Sequence, residues 1–427
     1  MTPQRIRVGV LGHGTVGSAF VDLVAQQAAT IAARSGVQLE IARVAVRTVA
    51  AHKASPVADL LTTDTDFVVN DPTIDVIVEV MGGVDDARRL ILQALSNGKP
   101  VITANKALLA NHGVELFTAA DASGIDLLFE AAVCGGIPLI RPLRESLRGE
   151  PITRVLGIVN GTTNYILTKM AEESMTYGDA LAGAQKLGYA EADPTADVEG
   201  HDAAAKLSII ASIAFGQNVV ASDVFCEGIS DITPADIAIA NRLGYAVKLL
   251  AIAEIDAAGS VLVRVHPAMV SHQHPLASVR DSFNAVVVDG AASGSLMFYG
   301  RGAGGAPTAS SVLGDVIDAS VNLNKGAHAS LGVLSKSNLR PMSSLRGEYL
   351  LPLEVTDRPG VLHAVTGIFA RHDVSIRAAE QDGIGNGARL VFLTHEASEA
   401  AVQECIAELR KLDVVMRVGG LLRVIGD

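Results

Sequence analysis

The chain has 427 residues, of which 34 are Lys or Arg and 46 are Asp or Glu, giving a formal net charge of −12. This acidic balance argues against a nucleic-acid-binding protein, which would be expected to carry a basic patch or stripe. The length predicts about two to four domains at roughly 150 residues each. The 49% hydrophobic content and 41 glycines favour buried parallel strands covered by helices.

Cysteine content and the amino terminus predict a cytoplasmic protein with no membrane partner. Cys134, Cys226 and Cys405 are too few and too far apart for a disulfide framework or a zinc site, so we interpret them as small buried hydrophobes. The chain enters a strand pattern directly, without the features of a signal peptide. No uninterrupted apolar run approaches the roughly 18 residues of a membrane-spanning helix.

The first 145 residues predict a Rossmann-type, doubly wound parallel sheet. A β-branched run at 6–11 is followed by the glycine-rich turn GHGTVG at 12–17 and by a helical pattern at 19–33. Further strands are predicted at 39–46, 75–80 and 101–103, with a helix at 85–96. Strands that alternate with helices indicate right-handed crossovers and a parallel sheet.

Residues 146–325 predict an α+β domain for substrate binding, catalysis and dimerisation. Helices are predicted at 165–173, 177–187, 200–215 and 234–253, and strands at 261–266 and 285–289. A helix at 308–321 is expected to return to the first domain.

A polar linker at 338–347 precedes a third domain at 348–427. Its predicted strands are 349–355, 374–380, 388–395 and 414–424, and its predicted helices are 360–372 and 399–411. That βαββαβ order is the ferredoxin-like plan.

The glycine-rich turn predicts a nicotinamide dinucleotide site. Gly12 permits the tight turn, Gly14 lets the backbone approach the pyrophosphate, and Gly17 allows close packing of helix on strand. The free N–H groups of the helix start, which includes Thr15 and Val16, attract the phosphates.

The residue after the second strand bears on the choice of cofactor. An acidic residue there would bind the ribose hydroxyl, but the sequence has Val46-Arg47-Thr48. Arg47 can accept a 2′-phosphate, so NADP(H) is expected to bind as well as or instead of NAD(H). The alternative is that Arg47 is an ordinary surface arginine.

Residues 189–206 carry five carboxylates, and they suit an ammonium group. Asp202 and Lys206 are four residues apart on one predicted helix face, where an exposed ion pair of little energetic weight is the alternative. Gly161 and Thr162 belong to a second candidate segment, for which helix capping by threonine is the alternative. Lys106 follows a strand end, where ligands bind in open α/β sheets, although it could equally be a surface lysine.

Together these motifs resemble the homoserine dehydrogenase family, in the monofunctional form with a carboxy-terminal ACT domain. The motifs are GHGTVG (12–17), TANKALLA (103–110), EAAVCGGIP (130–138), NGTTNYIL (160–167), GYAEADPTADVEGHDAAAK (188–206) and GRGAGGAPTASSVLGD (300–315). The resemblance implies NAD(P)-dependent interconversion of L-aspartate 4-semialdehyde and L-homoserine, in threonine and methionine biosynthesis. It also implies a homodimer or homotetramer.

The resemblance assigns roles by position. It implies that Lys206 is the catalytic lysine, with Asp202 and Lys106 beside it, and that Glu191 holds the amino group of homoserine. The other implied substrate contacts are Asp197, Tyr189, Gly161 and Thr162. The implied cofactor contacts beyond the glycine turn and Arg47 are Met81, Gly82, Thr103, Lys106 and Gly302. The backbone carbonyls implied to bind a monovalent metal ion, usually Na⁺, are those of Glu130, Val133, Gly135 and Ile137. Cys134 departs from the family pattern, which has glycine there.

The third domain opens like an ACT domain, with Asp357-Arg-Pro-Gly360 between its first strand and helix. This resemblance implies feedback inhibition, with L-threonine as the effector and Asp357 and Gly360 as regulatory positions. An assembly domain without a ligand is the alternative. Two other functions stay open, an amino-acid sensor without turnover and a related semialdehyde reductase or amino-acid dehydrogenase.

Overall fold

The computed structural model describes residues 3–384 and 387–426. The chain forms two compact units. The first comprises Met1–Thr153, Ala205–Asp223 and Asn284–Ser337, and the second comprises Arg154–Ala204, Val224–Phe283 and Asn338–Asp427. The domain boundaries near 145 and 325 and the linker at 338–347 stay predictions.

The first part of the chain alternates strands and helices. Its strands are β1 (Gln4–Leu11), β2 (Val37–Ala45), β3 (Leu61–Thr62), β4 (Val76–Glu79), β5 (Val101–Thr103) and β6 (Leu127–Leu128). Its helices are α1 (Thr15–Ser35), α2 (Thr65–Asn70), α3 (Asp85–Ser96) and α4 (Lys106–Ser123).

These six strands form one parallel sheet in the order β3-β2-β1-β4-β5-β6. This is the strand order of the doubly wound dinucleotide-binding fold, and it confirms the predicted Rossmann-type sheet. Strands β3 and β6 have two residues each, too few to produce a periodic pattern, so sequence reasoning missed them.

The middle of the chain supplies eight strands and six helices among the described residues. The strands are β7 (Ile152–Ile158), β8 (Gln217–Asn218), β9 (Phe225–Cys226), β10 (Tyr245–Ile255), β11 (Val261–Ser271), β12 (Phe283–Gly290), β13 (Gly294–Arg301) and β14 (Ser335–Lys336). The helices are α5 (Gly161–Glu173), α6 (Tyr177–Lys186), α7 (Thr195–Val198), α8 (His201–Phe215), α9 (Pro234–Arg242) and α10 (Gly305–Lys325).

Helices α1 and α10 pack against each other in the first unit. Helix α1 is long and apolar enough to meet the length and composition criteria for a membrane span. Here Phe20, Val21 and Val24 on α1 are buried in the same core as Val312 of α10, so a place in the core accounts for the helix's apolar character.

The predicted helix at 234–253 is wrong in its second half. Helix α9 ends at Arg242, Gly244 adopts a left-handed backbone conformation with φ of 88°, and β10 begins at Tyr245. Strand β10 is almost continuously apolar and lies between two other strands. A strand buried on both faces lacks alternation, so its pattern does not distinguish it from a buried helix.

The last part of the chain has the predicted ferredoxin-like order. Its strands are β15 (Arg346–Gly347), β16 (Tyr349–Thr356), β17 (Ile376–Ile384), β18 (Gly387–Thr394), β19 (Ala397–Ser398), β20 (Val415–Val418) and β21 (Leu422–Ile425), and its helices are α11 (Val361–Arg371) and α12 (Glu399–Leu409). The strand predicted at 414–424 is divided at Gly419-Gly420 into β20 and β21. Both halves pair with β16.

One mixed sheet runs through the second unit. Its strands follow the order β7-β10-β11-β21-β16-β18-β17, with β9 on β11 and β20 on β16. Strand β11, in the middle of the chain, is joined to the ferredoxin-like part by its parallel pairing with β21, from Ala268↔Arg423 to Val270↔Ile425. The two parts are therefore continuous in hydrogen bonding within this unit.

Candidate active site

The glycine turn is shaped to let a ligand approach the backbone. Gly12 has φ of 109°, and a Cβ there would lie 2.6 Å from the carbonyl oxygen of Val80. A Cβ at Gly17 would lie 2.1 Å from the carbonyl oxygen of Gly12, which is why the turn can close so tightly against α1. Gly14 caps α1 without a side-chain hydrogen bond and has open space around it. The turn therefore suits a pyrophosphate at the helix start, where Thr15 and Val16 stand.

A buried carboxylate at the end of β4 also contacts the end of β5. Glu79 is fully buried, and its carboxylate accepts hydrogen bonds from the backbone N–H of Met81 (2.9 Å) and Gly82 (3.3 Å) and from the hydroxyl of Thr103 (2.6 Å). Burial raises the pKa of Glu79, and these hydrogen bonds oppose that rise. The predicted cofactor positions Met81, Gly82 and Thr103 are thus held together by one side chain that the sequence analysis did not identify.

Lys106 stands at the first position of α4, beside this cluster. The helix begins at Asn105, whose side chain accepts from the N–H of Leu108 (3.1 Å) and donates to the carbonyl of Gly83 (2.6 Å). The amide of Asn105 therefore fixes the direction in which α4 leaves β5.

The end of β2 lies beside the glycine turn, because the N–H of Gly12 donates to the carbonyl of Ala45 at 3.0 Å. Arg47 is exposed immediately after the strand. His13 of the turn contacts the same segment, with Nε2 2.9 Å from the Oγ of Ser55 and its ring 5.3 Å from that of His52.

The segment at 130–137 is a rigid turn whose anchor is the Glu130 carboxylate. That carboxylate accepts from the backbone N–H groups of Leu139 (2.6 Å), Ile140 (2.7 Å) and Arg141 (2.9 Å). The N–H of Glu130 donates to Asp315, whose pKa is raised by burial to about 7.

The four carbonyls expected to bind a metal ion belong to this turn, at Glu130, Val133, Gly135 and Ile137. The hydroxyl of Ser311 donates to the carbonyl of Gly135 at 2.7 Å, which leaves that oxygen a second lone pair. Among the described residues no group of three His, Cys, Asp or Glu side chains could hold a metal ion. A monovalent ion held by backbone oxygens is compatible with this turn, whereas a transition metal is not indicated.

Cys134 stands where the family resemblance predicts glycine, and its backbone adopts a conformation that glycine favours. It is fully buried with φ of 55°, in the left-handed region that glycine favours, and it is followed by Gly135 with φ of 46°. A Cβ at Gly135 would lie 2.5 Å from the carbonyl oxygen of Gly302, another predicted cofactor position. The conformation costs a non-glycine residue roughly 1 kcal/mol or more.

Asn160 is the centre of the predicted substrate segment. Its Nδ2 donates to the Asp197 carboxylate at 2.7 Å and to the Asp202 carboxylate at 2.9 Å, while its Oδ1 caps α5 by accepting from the N–H of Thr163. The side chain is 4% exposed. One amide thereby holds two carboxylates that are 5 positions apart in sequence. An asparagine directly before a helix is a recognisable capping residue, and this feature could have drawn attention to Asn160 in the sequence.

The neighbouring predicted contacts are also assembled within this unit. The hydroxyl of Thr162 donates to the carbonyl of Tyr189 at 2.6 Å, so it fastens the 188–206 segment and does not cap the helix. A Cβ at Gly161 would lie 2.7 Å from the carbonyl oxygen of Ser282, which requires glycine there. Glu191 is exposed, and its carbonyl accepts from the side chain of Gln185.

Asp202 and Lys206 both lie on α8, one helical turn apart and half-buried. Asp357 and Gly360 are exposed at the start of α11, where Gly360 has φ of 91°. That φ explains the glycine of the Asp-Arg-Pro-Gly turn and leaves its regulatory role a prediction.

Three parts of the chain match family models. Residues 12–130 match the homoserine dehydrogenase NAD binding domain, residues 138–317 match homoserine dehydrogenase, and residues 349–414 match the ACT domain. The homoserine dehydrogenase of Mycobacterium leprae is 49% identical over 99% of this chain and 98% of its own length. The chain belongs to the homoserine dehydrogenase family.

Solved structures agree with this assignment. A homoserine dehydrogenase from Thiobacillus denitrificans is 41% identical, with a TM-score of 0.93 over 99% of this chain and 98% of that one. A hyperthermophilic archaeal homoserine dehydrogenase in complex with NADPH is 29% identical, with a TM-score of 0.65 over 74% of this chain and 98% of that one. The chain is therefore an NAD(P)-dependent oxidoreductase with a carboxy-terminal ACT domain, as the motifs implied.

Proposed function

We propose that the chain interconverts L-homoserine and L-aspartate 4-semialdehyde with Lys206 as its proton donor and acceptor. The observation that carries the proposal is the amide of Asn160, which binds the carboxylates of Asp197 and Asp202 together. Asp202 stands one helical turn before Lys206 on α8. A site for an ammonium group and a proton-transferring amine are thus combined on one short segment.

Substrate binding is assigned to the carboxylates and backbone of this segment. An amino acid presents an ammonium group, and Asp197, Asp202 and the exposed Glu191 offer it negative charge. Tyr189 lies beside them, with its carbonyl held by Thr162 and its ring 5.3 Å from that of Tyr165. Gly161 keeps the start of α5 close enough to the 279–283 loop to complete this wall.

Proton transfer is assigned to Lys206, with Lys106 as a second cation. Reduction of an aldehyde requires a proton at the carbonyl oxygen, and a lysine ammonium can donate it. In the oxidative direction a neutral lysine removes that proton. A lysine in water has a pKa of about 10.4. Because the neutral form accepts the proton and the charged form donates it, we expect homoserine oxidation to accelerate with rising pH and aldehyde reduction to proceed near neutrality.

The nicotinamide cofactor, when bound, accepts hydride from homoserine or supplies it to the semialdehyde. Gly12, Gly14, Thr15, Val16 and Gly17 would hold its pyrophosphate. The further contacts are Met81, Gly82, Thr103, Lys106 and Gly302. Arg47 after β2 favours acceptance of NADP(H) besides NAD(H). We assign Na⁺ to the carbonyls of Glu130, Val133, Gly135 and Ile137, where it would stabilise the turn that carries the Gly302 contact.

Regulation is assigned to the ACT domain, with L-threonine as the effector and Asp357 and Gly360 as the positions to test. We place the reaction in threonine and methionine biosynthesis in the cytoplasm, and we expect a homodimer or homotetramer. An ACT domain that only assembles the protein predicts no effect of threonine on rate.

The experiment is L-homoserine-dependent reduction of NADP⁺ and of NAD⁺ at alkaline pH, followed at 340 nm, with and without L-threonine. L-Serine and 4-hydroxybutyrate are the matched substrates, each lacking one feature of homoserine. We expect turnover with homoserine alone and its suppression by threonine. Turnover that threonine leaves unchanged would indicate that the ACT domain serves only in assembly of the protein. Absence of turnover with both cofactors would favour an amino-acid sensor.

A further inference from the structure

Two histidines and a serine form a cluster where the glycine turn meets the segment after β2. The Nε2 of His13 lies 2.9 Å from the Oγ of Ser55. The rings of His13 and His52 are 5.3 Å apart and meet edge to face at 67°. His13 is 8% exposed, whereas His52 and Ser55 are half-buried. His13 is therefore the buried member of the cluster, whereas His52 and Ser55 are accessible to solvent.

A dinucleotide bound as is usual for this fold would place its adenosine ribose near this cluster. In a doubly wound sheet the ribose 2′ position lies beside the end of the second strand. The N–H of Gly12 donates to the carbonyl of Ala45, the last residue of β2. His13 follows Gly12 directly, so its contact with Ser55 fastens the segment after β2 to the turn that receives the pyrophosphate.

The segment fastened in this way is cationic on its exposed side. Arg47 and Lys53 are exposed, and they flank the short helical turn Val49–His52. This segment carries no acidic residue between Val46 and Val57. A group with negative charge beside the ribose would therefore meet two permanent cations and the two imidazoles.

The second ring nitrogen of His13, Nδ1, is buried. Among the described residues nothing hydrogen-bonds to the buried Nδ1. A buried polar atom without a partner is uncommon in folded proteins and requires an explanation. Burial, and then the neighbouring His52, lower the pKa of His13, while Asp22 on α1 opposes this effect. Burial therefore disfavours the imidazolium form of His13.

We propose that His13, His52 and Ser55 form the recognition site for the 2′-phosphate of NADP(H), and that phosphate binding is coupled to protonation of the imidazole pair. The inference rests on the proposed use of NADP(H). His52 and the Ser55 hydroxyl are the contacting groups, and His13 is a positioning residue that acts through Ser55 and His52. NAD(H) lacks the phosphate, so its binding does not engage the cluster.

The charges around the cluster support this coupling. The titratable and charged groups on the surrounding elements are Asp22 on α1, Arg47, His52 and Lys53 after β2, and Glu79 at the end of β4. The Glu79 carboxylate already accepts hydrogen bonds from Met81, Gly82 and Thr103. A phosphate dianion within reach of an imidazole favours the imidazolium form, so NADP(H) binding takes up a proton that NAD(H) binding does not.

The test compares the ratio of kcat/KM for NADP⁺ to that for NAD⁺ between pH 6 and pH 9. In the unsubstituted protein we expect this ratio to fall about tenfold or more across the histidine range. His52→Gln and His13→Gln should lower the ratio at pH 6 and remove its pH dependence, since glutamine retains a hydrogen-bonding amide but cannot take a proton. Ser55→Ala should lower the ratio at every pH. His112→Gln, on α4, is the matched control and should leave the ratio unchanged.

Calorimetry makes the proposal testable without turnover. NADP⁺ binding measured in buffers of different ionisation enthalpy should show proton uptake near neutral pH, and NAD⁺ binding should show none. A pH-independent ratio in the unsubstituted protein, or retention of its pH dependence in both glutamine variants, would overturn the proposal. Equal proton uptake with both dinucleotides would do the same. Loss of homoserine turnover with normal proton uptake would instead contradict the proposed function and leave this site standing.

Discussion

At the scale of single residues, Asn160 determines more of the substrate site than any one carboxylate does. Its amide holds Asp197 and Asp202, and its oxygen caps α5. Without it, the two carboxylates would lose the amide donor that they share. The neutral residue therefore stabilises two neighbouring negative charges in the site proposed for an ammonium group.

Asn160→Ala should separate the two functions of this residue. Loss of the cap is expected to lower the free energy of unfolding by about 1 kcal/mol, and loss of both carboxylate contacts should raise KM for homoserine about tenfold or more. KM is measured by initial rates and stability by urea unfolding. Thr176→Ala, which removes the cap of α6 in the same unit, should match the stability loss and leave KM unchanged. Equal KM values for the two variants would contradict the assigned role of Asn160.

At the scale of single elements, β10 carries a lysine into the interior of the second unit. Lys248 is 5% exposed, and its Nζ donates to the Oδ1 of Asn164 at 3.1 Å and to the carbonyl of Val279 at 2.5 Å. Asn164 in turn donates to the carbonyl of Asp281 at 2.9 Å. This strand thereby fastens the loop that lies against Gly161.

Burial of Lys248 predicts a pH-dependent stability. Desolvation lowers its pKa to about 8 from 10.5. Between these values the unfolded chain binds the proton more tightly, so stability should rise as pH increases from 8 to 10.5, by at most about 3 kcal/mol. Lys248→Met should remove this rise, and Lys325→Met, at the exposed end of α10, should retain it. Urea unfolding midpoints measured at four pH values test this prediction. If the stability of Lys248→Met still rises with pH as in the unsubstituted protein, the assignment is refuted.

The elements also show what sequence patterns can and cannot predict here. The parallel sheet, the glycine turn and the ferredoxin-like order were predictable, because alternation, turn residues and periodicity are local properties. The second half of the helix predicted at 234–253 was wrong, since β10 is apolar on both faces. Glu79 was missed as a site residue, and Asn160 was identified only as part of the candidate segment 160–167. Their roles depend on contacts across 24 and 37 to 42 positions, whose partners a local pattern does not identify.

At the scale of the whole molecule, the ACT part is joined to the substrate-binding part by a buried ion-pair cluster as well as by a shared sheet. Arg423 on β21 is 3% exposed and binds Glu399 through two nitrogens, at 2.6 Å and 2.9 Å, and Glu227 at 2.8 Å. Glu227 lies two residues from Ile229, whose N–H donates to the carbonyl of Val198 in the 188–206 segment. The cluster thus connects the ACT fold with the segment to which we assign substrate binding.

Breaking this cluster should destabilise the second unit strongly. Glu399→Ala removes one of the two carboxylates that pair with the buried Arg423 among the described residues, and a loss of about 3 kcal/mol is expected. Glu396→Ala breaks the exposed pair with Arg346 and should change stability by less than about 1 kcal/mol. Urea unfolding followed by circular dichroism measures both. Similar midpoints for the two variants would show that the buried cluster does not hold the parts together.

The most direct test of the catalytic assignment is the rate at which Lys206→Ala reduces NADP⁺ with homoserine, measured with saturating substrates. The control is Lys186→Ala, which changes the last residue of α6. We predict that kcat falls by about 10²- to 10⁴-fold in Lys206→Ala, while the Kd for NADP⁺ stays within about twofold, and that Lys186→Ala behaves like the unsubstituted protein. A Lys206→Ala protein with near-normal kcat would contradict the proton-transfer role on which the account depends.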